Sequence, residues 1–151
     1  MSDLYDTDIV LWSERQSGLL RRRAAGELVN EAELDWSNIA EEIESLGRNQ
    51  ARELASRLAA VILHLMKLQA SPASDPRAGW RDTVQEQRDE IDRLLLDAPT
   101  LRGRIPAIIA RELERARHRA RTALPDHDEQ SRVDLDTIVY TEDEVLGHWL
   151  P

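Results

Sequence analysis

Residues 58–69 read LAAVILHLMKLQ, and this stretch decides the fold class of the chain. Large aliphatic side chains cover nearly every side of a helix built from it, which is typical of a helix surrounded by other protein. The run is far shorter than the roughly 20 apolar residues that cross a bilayer. We therefore predict a buried helix at the centre of a globular domain, and no membrane span.

The rest of the chain has a helical period as well. Strong helix formers dominate, and apolar residues recur every three or four positions. This pattern predicts four long helices, at about 6–25, 35–69, 80–97 and 106–124, followed by an extended segment and a short C-terminal helix. Gly47 lies inside the second helix, which we expect to continue through it. Short connections favour an all-α bundle, mostly antiparallel, in a single domain over residues 1–151.

Side chains suited to capping stand at several predicted helix ends. Asp6 or Thr7 could cap the first helix and Asp35 the second, because their oxygens can accept from the free amides of the first turn. Thr141 and Glu144 have the spacing of a capping box for the last helix.

Composition narrows the class of protein. The 151 residues are enough for one domain with a real core. The absence of cysteine excludes disulfides, zinc–thiolate sites and thiol nucleophiles. The start of the chain is acidic and lacks the features of a signal peptide. Lys67 is the only lysine among many arginines and alanines, which indicates a GC-rich coding background. We expect a bacterial, cytoplasmic protein.

The net charge of −9 argues against general nucleic-acid binding, but the charge is unevenly spread. A basic segment contains Arg102, Arg104, Arg111, Arg115, Arg117, Arg119 and Arg121. An acidic segment follows, with Asp126, Asp128, Glu129, Asp134, Asp136, Glu142, Asp143 and Glu144. We expect the acidic tail to fold back on the basic segment, since opposite charges attract over a Debye length of roughly 8–10 Å. Binding of duplex nucleic acid by the arginine-rich fourth helix is the alternative.

Residues 35–48, DWSNIAEEIESLGR, place three glutamates in one helical turn. A helical wheel directs Glu41 and Glu44 away from the apolar positions, towards solvent. Glu42 borders the apolar positions, and it would need a partner if it were buried and ionised. The apolar positions of this helix are Trp36, Ile39, Ile43, Leu46, Leu54, Leu58, Val61, Leu65 and Leu68.

Glu42 belongs to the one set of polar residues that could form an internal site. The set lies beside or within the apolar faces of the second and third helices: Glu42, Glu53, His64, Lys67, Trp80, Gln87 and Arg88. Together these side chains could form a cluster with perturbed pKa values, as catalytic and ligand sites often do. The structural alternatives are a core histidine, a lysine whose stem covers apolar surface, and a glutamine at the edge of the bundle.

No complete catalytic motif accompanies these residues. The Glu-x-x-His pair of di-iron bundles, the His-Glu-x-x-His zinc motif, phosphate-binding glycine loops and the nucleophile elbow are all absent from the sequence. We therefore predict neither a metal nor a cofactor, and nothing favours an enzyme. The leading hypothesis is an interaction or regulatory module that binds a protein partner or itself. The alternative is an enzyme or small-ligand binder that uses the internal cluster.

Five segments in order resemble the bacterial family named domain of unknown function 29. They are YDTDIVLWSERQSGLLR, LDWSNIAEEIESLGR, LASRLAAVILHLMKLQASP, WRDTVQEQRDEIDRLLLDAPTLRGRIP and VYTEDEVLGHW. EEIESLGR and LHLMK are the most specific blocks, and the resemblance covers nearly the whole chain. It implies a small α-helical domain, and it supplies neither an activity nor catalytic residues.

Overall fold

The computed structural model describes residues 4–126 and 131–151, with the backbone alone for 124–126. Over these ranges the chain is all-α and contains no strand. None of the described helices is long and apolar enough to cross a bilayer.

Within residues 4–126 and 131–151 six α-helices follow one another: α1 Leu4–Thr7, α2 Ile9–Ala24, α3 Trp36–Ala70, α4 Arg77–Asp97, α5 Ile105–Asp126 and α6 Glu142–Leu146. Short 3-10 turns occur at Glu31–Glu33, Pro99–Arg104 and Leu135–Thr137. The four long helices, α2 to α5, confirm the predicted all-α architecture.

Most helix boundaries follow the local signals, but three differ from the prediction. Residues 4–7 form a separate turn, so the cap of α2 is Asp8, which accepts from the amide of Leu11 at 3.0 Å. The prediction of Asp6 or Thr7 as the cap was therefore wrong. Helix α4 begins at Arg77, three residues earlier than expected, and α5 includes Pro125 next to its last residue.

Helix α3 is continuous from Trp36 to Ala70, as predicted, and Gly47 does not interrupt it. Asp35 caps it, since its Oδ1 accepts from the amide of Asn38 at 3.4 Å. At the other end of the chain Thr141 and Glu144 form the expected capping box of α6.

The residues cluster into two compact units, Met1–Arg48 and Asn49–Pro151, and each includes a part of α3. The single-domain organisation stays a prediction. In the first unit a hydrogen bond joins Tyr5 of α1 to Glu42 of α3, and another joins Trp12 of α2 to Asp35, the cap of α3. Its buried apolar core is small and consists of Trp12, Leu34 and Ile39.

The second unit contains a much larger apolar core. Helices α3 and α4 are antiparallel here, because Arg57 contacts Gln87 whereas Lys67 contacts Trp80. The predicted central stretch is buried, and its Val61, Ile62, Leu65 and Met66 have no exposed surface. Helix α5 and the C-terminal segment complete this core with Ile105, Ile108, Ile109, Leu113, Ala116, Leu135, Ile138, Tyr140 and Val145.

Candidate functional site

Asp35 ties the start of α3 to α2 in the first unit. Its Oδ2 accepts from Trp12 Nε1 at 3.0 Å and from Asn38 Nδ2 at 2.7 Å. Buried Gln16 adds two hydrogen bonds, because its Nε2 donates to the Glu33 carbonyl and its Oε1 accepts from the amide of Asp35. The hydrogen bonds from Asn38 and Trp12 lower the pKa of Asp35. The beginning of α3 is therefore held by a fully partnered polar group.

Glu42 lies half-buried at the border of the apolar positions, as the wheel indicated. Its partner is Tyr5, whose hydroxyl donates to Glu42 Oε1 at 2.6 Å. This hydrogen bond, with a smaller contribution from burial, raises the pKa of Tyr5 to about 12. The Tyr5 ring stands edge-on to Trp12 with centroids 4.9 Å apart. Glu42 therefore anchors α1 to α3.

Three apolar side chains on the first-unit part of α3 face solvent. Trp36 is 48% exposed, Ile43 64% and Leu46 68%, and we name this set the α3 stripe. Ile39 has the same helical period, but it is buried with Trp12 and Leu34. The small core of the first unit thus covers Ile39 and leaves the three residues of the α3 stripe exposed.

The two glutamates that the helical wheel directs towards solvent are exposed, as predicted. Glu41 and Glu44 are exposed, and both form ion pairs with Arg48. Exposed pairs of this kind contribute little stability, typically about 0–1 kcal/mol. These two glutamates are therefore a solvated face and not a site.

Four of the predicted cluster residues lie in two contact groups of the second unit. Arg57 donates to Glu53 at 2.8 Å and to the side-chain oxygen of Gln87 at 3.2 Å. Lys67 places its ammonium 5.9 Å from the ring centroid of Trp80, within the range of a cation–π contact. Each group links α3 to α4.

His64 is half-buried, and its Nδ1 lies 2.7 Å from the carbonyl oxygen of Ala60 in the preceding turn. Burial lowers the pKa of His64, and the positive charge of Lys67 acts in the same direction. The neutral ring is therefore favoured in the folded protein. This is the arrangement of a core histidine with a satisfied ring nitrogen.

Arg88 is 4% exposed and makes contacts that the sequence did not suggest. Its guanidinium donates to the carbonyl oxygens of Val145 at 2.9 Å, Glu144 at 2.7 Å and Trp149 at 2.8 Å. Burial lowers the pKa of Arg88. The side chain holds the C-terminal segment against α4, and it does so through neutral backbone acceptors.

The predicted cluster is thus distributed over separate contacts. Glu42 and His64, which were predicted to belong to one cluster, contact Tyr5 and the Ala60 carbonyl instead. A continuous helix rises about 1.5 Å per residue, which carries side chains this far apart in sequence beyond hydrogen-bonding reach. The idea that Glu42 and His64 form one site was wrong for this geometric reason. Among the described residues, no group of three or more histidines and carboxylates could hold a metal ion.

The arginines of the basic segment are largely occupied by contacts within the chain. Arg111 and Arg115 both bind Glu112, Arg117 donates to the carbonyl oxygens of Leu135 and Ile138, and Arg121 pairs with Asp136. The expected return of the acidic tail is confirmed for Asp136, whereas Asp128 and Glu129 lie outside the described residues.

Glu112 is a residue that the sequence analysis missed. Its side chain is only 6% exposed, and its Oε1 accepts from Arg111 at 3.1 Å and Arg115 at 3.0 Å. It lies four residues after Ile108, on the apolar face of α5. A carboxylate at an apolar position of the helix was the sequence signal that could have identified it as buried. Two positive side chains satisfy the buried carboxylate.

The described part of the first unit also contains a cavity of about 870 Å³ between α2 and the residues before α3. Trp12, Leu19 and Leu34 give it apolar walls, and Arg15 and Glu33 are among its charged lining residues. Gln16 and Asp35 also line it, but their polar atoms are used in the hydrogen bonds that tie α2 to α3. Gln16 and Asp35 are therefore already used in holding α2 to the start of α3.

Comparison with known proteins identifies the family. The sequence pattern of Domain of unknown function DUF29 matches residues 4–149, which is nearly the whole chain. The chain belongs to the DUF29 family. The resemblance of the five segments is thereby confirmed.

A crystal structure at 1.45 Å resolution resembles this DUF29 protein over most of its length. It is that of an alpha-helical protein of unknown function, rru_a3208, from Rhodospirillum rubrum ATCC 11170. The two chains are 26% identical, and the TM-score is 0.56. The match covers 97% of this chain and 90% of the other. No curated protein matches the sequence. The functional site of this DUF29 protein must therefore be inferred from its own geometry.

Proposed function

We propose that this DUF29 chain is a protein-interaction module, and that the α3 stripe is its binding surface. The observation that supports this proposal is the exposure of Trp36, Ile43 and Leu46 in a helix whose later apolar positions are fully buried. Single exposed apolar residues are normal, but a contiguous apolar patch on a folded protein is typical of an interaction site.

The spacing of the stripe makes it one surface. Trp36 and Ile43 are separated by two helical turns, and Leu46 follows Ile43 by one turn. Positions separated by three, four or seven residues project from the same side of a helix. The three side chains therefore form a ridge along α3 and not three isolated exposures.

The shape and charge of this ridge favour an apolar helix as the partner. Amphipathic helices bind one another through anchors at this spacing, and aromatic side chains are frequent among the residues that dominate binding energy. The exposed acidic side chains of Glu41 and Glu44 on the same part of α3 disfavour a nucleic-acid backbone. The ridge is convex, whereas small molecules usually bind in clefts.

The surface is also preorganised. The hydrogen bonds of Asp35 to Trp12 and Asn38 fix the start of α3 one residue before Trp36. Glu42, between the stripe residues, is fixed by Tyr5. A partner would therefore meet a helix that is already ordered, and less conformational entropy would be lost on binding.

The proposal is tested with Ile43→Asp, which places a charge in the middle of the stripe. Because Ile43 is 64% exposed, we expect normal folding by circular dichroism and urea denaturation, together with loss of every protein association that the wild type shows. The matched control is Leu96→Asp, at a 77% exposed helical position of the second unit, which should leave association unchanged. Equal association of wild type and Ile43→Asp would overturn the proposal.

A further inference from the structure

We propose that the cavity of the first unit binds a short apolar peptide with free termini, of about the size of a dipeptide. None of the three residues of the α3 stripe lines this cavity, so the inference does not depend on the proposed function. Three features support it: the volume of the cavity, its apolar lining, and charged side chains of both signs on its walls.

The cavity has the size of a small-molecule site. Its volume of about 870 Å³ lies within the roughly 300–1,000 Å³ that is usual for ligand pockets in proteins. Its lining residues lie between Leu4 and Asn38, so they all belong to the first unit. One continuous stretch of the chain therefore builds the whole site.

The apolar part of the lining is held in place by its neighbours. Trp12 and Leu34 are buried together, and Leu19 packs against them. Trp12 donates to Asp35, and Gln16 binds the backbone on either side of Leu34. An apolar side chain that enters the cavity would meet walls that are already ordered, so less conformational entropy would be lost on binding.

Charged side chains of both signs line the cavity without a partner. Arg15 lies on α2 beside Glu14, and Glu33 lies on the segment that faces α2. All three side chains are exposed, and none of them forms an ion pair or a hydrogen bond within the described part of the chain. Arg22 also lines the cavity, but it is paired with Glu27 at 2.8 Å. A free guanidinium and free carboxylates are thus available beside one apolar surface.

This combination selects the class of ligand. A ligand with a charge of one sign would be attracted by some of these groups and repelled by the others. A peptide with free termini carries a carboxylate for Arg15 and an ammonium for Glu33, and carboxylates bind guanidinium groups through two parallel hydrogen bonds. The ends of an extended dipeptide lie about 7 Å apart, so each terminus can contact a different wall. Its apolar side chains would pack against Trp12 and Leu34.

The exposure of the charged groups sets the expected strength. Exposed ion pairs change an affinity by no more than roughly fivefold each. We therefore expect L-leucyl-L-phenylalanine to bind with a dissociation constant on the order of 1 mM.

The first test titrates the purified chain with this dipeptide and follows the indole N–H of Trp12 by NMR. That group donates to Asp35 at the cavity wall, so its resonance should shift on binding. Ala32→Trp should abolish the shift, because Ala32 lines the cavity and a bulky side chain there would obstruct it. Since Ala32 is exposed, the variant should fold normally by circular dichroism. Ile43→Asp should bind the dipeptide as the wild type does.

The second test removes one charge at a time from the peptide and from the protein. The N-acetylated dipeptide lacks the ammonium, and the C-terminal amide lacks the carboxylate. Each should bind the wild type roughly three- to fivefold more weakly than the free dipeptide. Arg15→Ala should weaken the free dipeptide by a similar factor and leave the amide unaffected. Glu33→Gln should do the same for the free dipeptide and leave the acetylated form unaffected.

Arg21→Ala is the matched control, because Arg21 is exposed on α2 but does not line the cavity. It should bind the free dipeptide as the wild type does. No shift at about ten times the expected dissociation constant would overturn the inference. Equal binding of the free, acetylated and amidated peptides would overturn it as well, since the two charges would then take no part in recognition. Neither result would affect the α3 stripe, which the association of Ile43→Asp tests separately.

Discussion

The two parts of α3 have the same apolar period but opposite surroundings. In the second unit Leu54, Leu58 and Val61 have no exposed surface, whereas Ile43 and Leu46 of the first unit are mostly exposed. Burial of a large apolar side chain contributes about 1.5–3 kcal/mol, so the second unit obtains a stabilisation that the stripe does not. The apolar period of a helix thus predicts which face can pack against other apolar surfaces. Whether that face is covered depends on the rest of the chain.

The two units also differ in how their elements are joined. In its described part the first unit has three buried apolar residues, and hydrogen bonds to Asp35 and Glu42 join its helices. The second unit has an extensive core, and Arg88 ties its C-terminal segment in place. The mutations below measure this difference, in order of decreasing effect.

Matched leucine truncations should give the largest contrast. Leu58→Ala removes a fully buried side chain and should lower the free energy of unfolding by about 2–5 kcal/mol, because a cavity remains. Leu46→Ala removes a side chain that is 68% exposed and should change it by less than about 0.5 kcal/mol. Urea denaturation of both variants checks the prediction. Similar losses would mean that the stripe is covered within a single chain.

Removal of the Arg88 guanidinium should have the next largest effect. Arg88→Ala leaves the carbonyl oxygens of Glu144, Val145 and Trp149 without their donor, and we expect a loss of about 2–3 kcal/mol. Amide hydrogen exchange in residues 140–151 should increase with it. Arg48→Ala, which removes only exposed ion pairs, is the control and should be nearly neutral. Unchanged exchange near the C-terminus would contradict the role assigned to Arg88.

Asp35→Ala should weaken the first unit by about 1–2 kcal/mol, since it removes both a helix cap and the acceptor of Trp12. Amide hydrogen exchange in α2 and at the start of α3 follows the loss locally. The pKa of Asp35 is lowered from its ordinary value of 3.8, so the folded state prefers the carboxylate. Its contribution should be complete above pH 3.8 and should decline as pH falls through the lower folded-state pKa. Asp35→Asn should lack this acid-dependent decline. A pH profile of stability identical to that of the wild type would contradict the assignment of the decline to Asp35.

His64→Leu should have the smallest effect at neutral pH, within about 1 kcal/mol, because the carbonyl of Ala60 lies inside a helix. The pKa of His64 is lowered from 6.5, so the unfolded chain binds its proton more readily than the folded one. The wild type should therefore lose stability as pH falls below 6.5, and this loss should level off below the folded-state pKa. His64→Leu should remove that part of the pH dependence, while exposed His118→Leu should retain it. A loss of stability larger than about 1 kcal/mol at neutral pH would contradict this prediction, and it would mean that His64 contributes more to the fold.

Much of the fold could be predicted because its signals are local. The uninterrupted α3, its cap Asp35 and the capping box of Thr141 and Glu144 depend on residues close in sequence. The α2 cap was misplaced because Asp6, Thr7 and Asp8 are all suitable, and the separate turn at 4–7 decides among them.

The candidate site was less predictable because it depends on distant partners. The sequence identified Arg88 as a polar residue bordering an apolar face, but its acceptors are backbone oxygens, which no side-chain pattern reveals. Periodicity placed Trp36, Ile43 and Leu46 on one face but could not show that they are uncovered. The sequence therefore identified Arg88 and the residues of the α3 stripe, but it did not predict what they contact or whether they are exposed.

The contacts of Arg88 have a consequence for protein engineering. A guanidinium that binds main-chain oxygens is indifferent to the side chains at positions 144, 145 and 149, so those acceptors survive substitution there. A tag fused after Pro151 leaves all three acceptors in place. Truncation before Trp149 removes one of them. Labels and affinity handles therefore belong beyond the last residue, and shortened versions of the chain should retain Trp149.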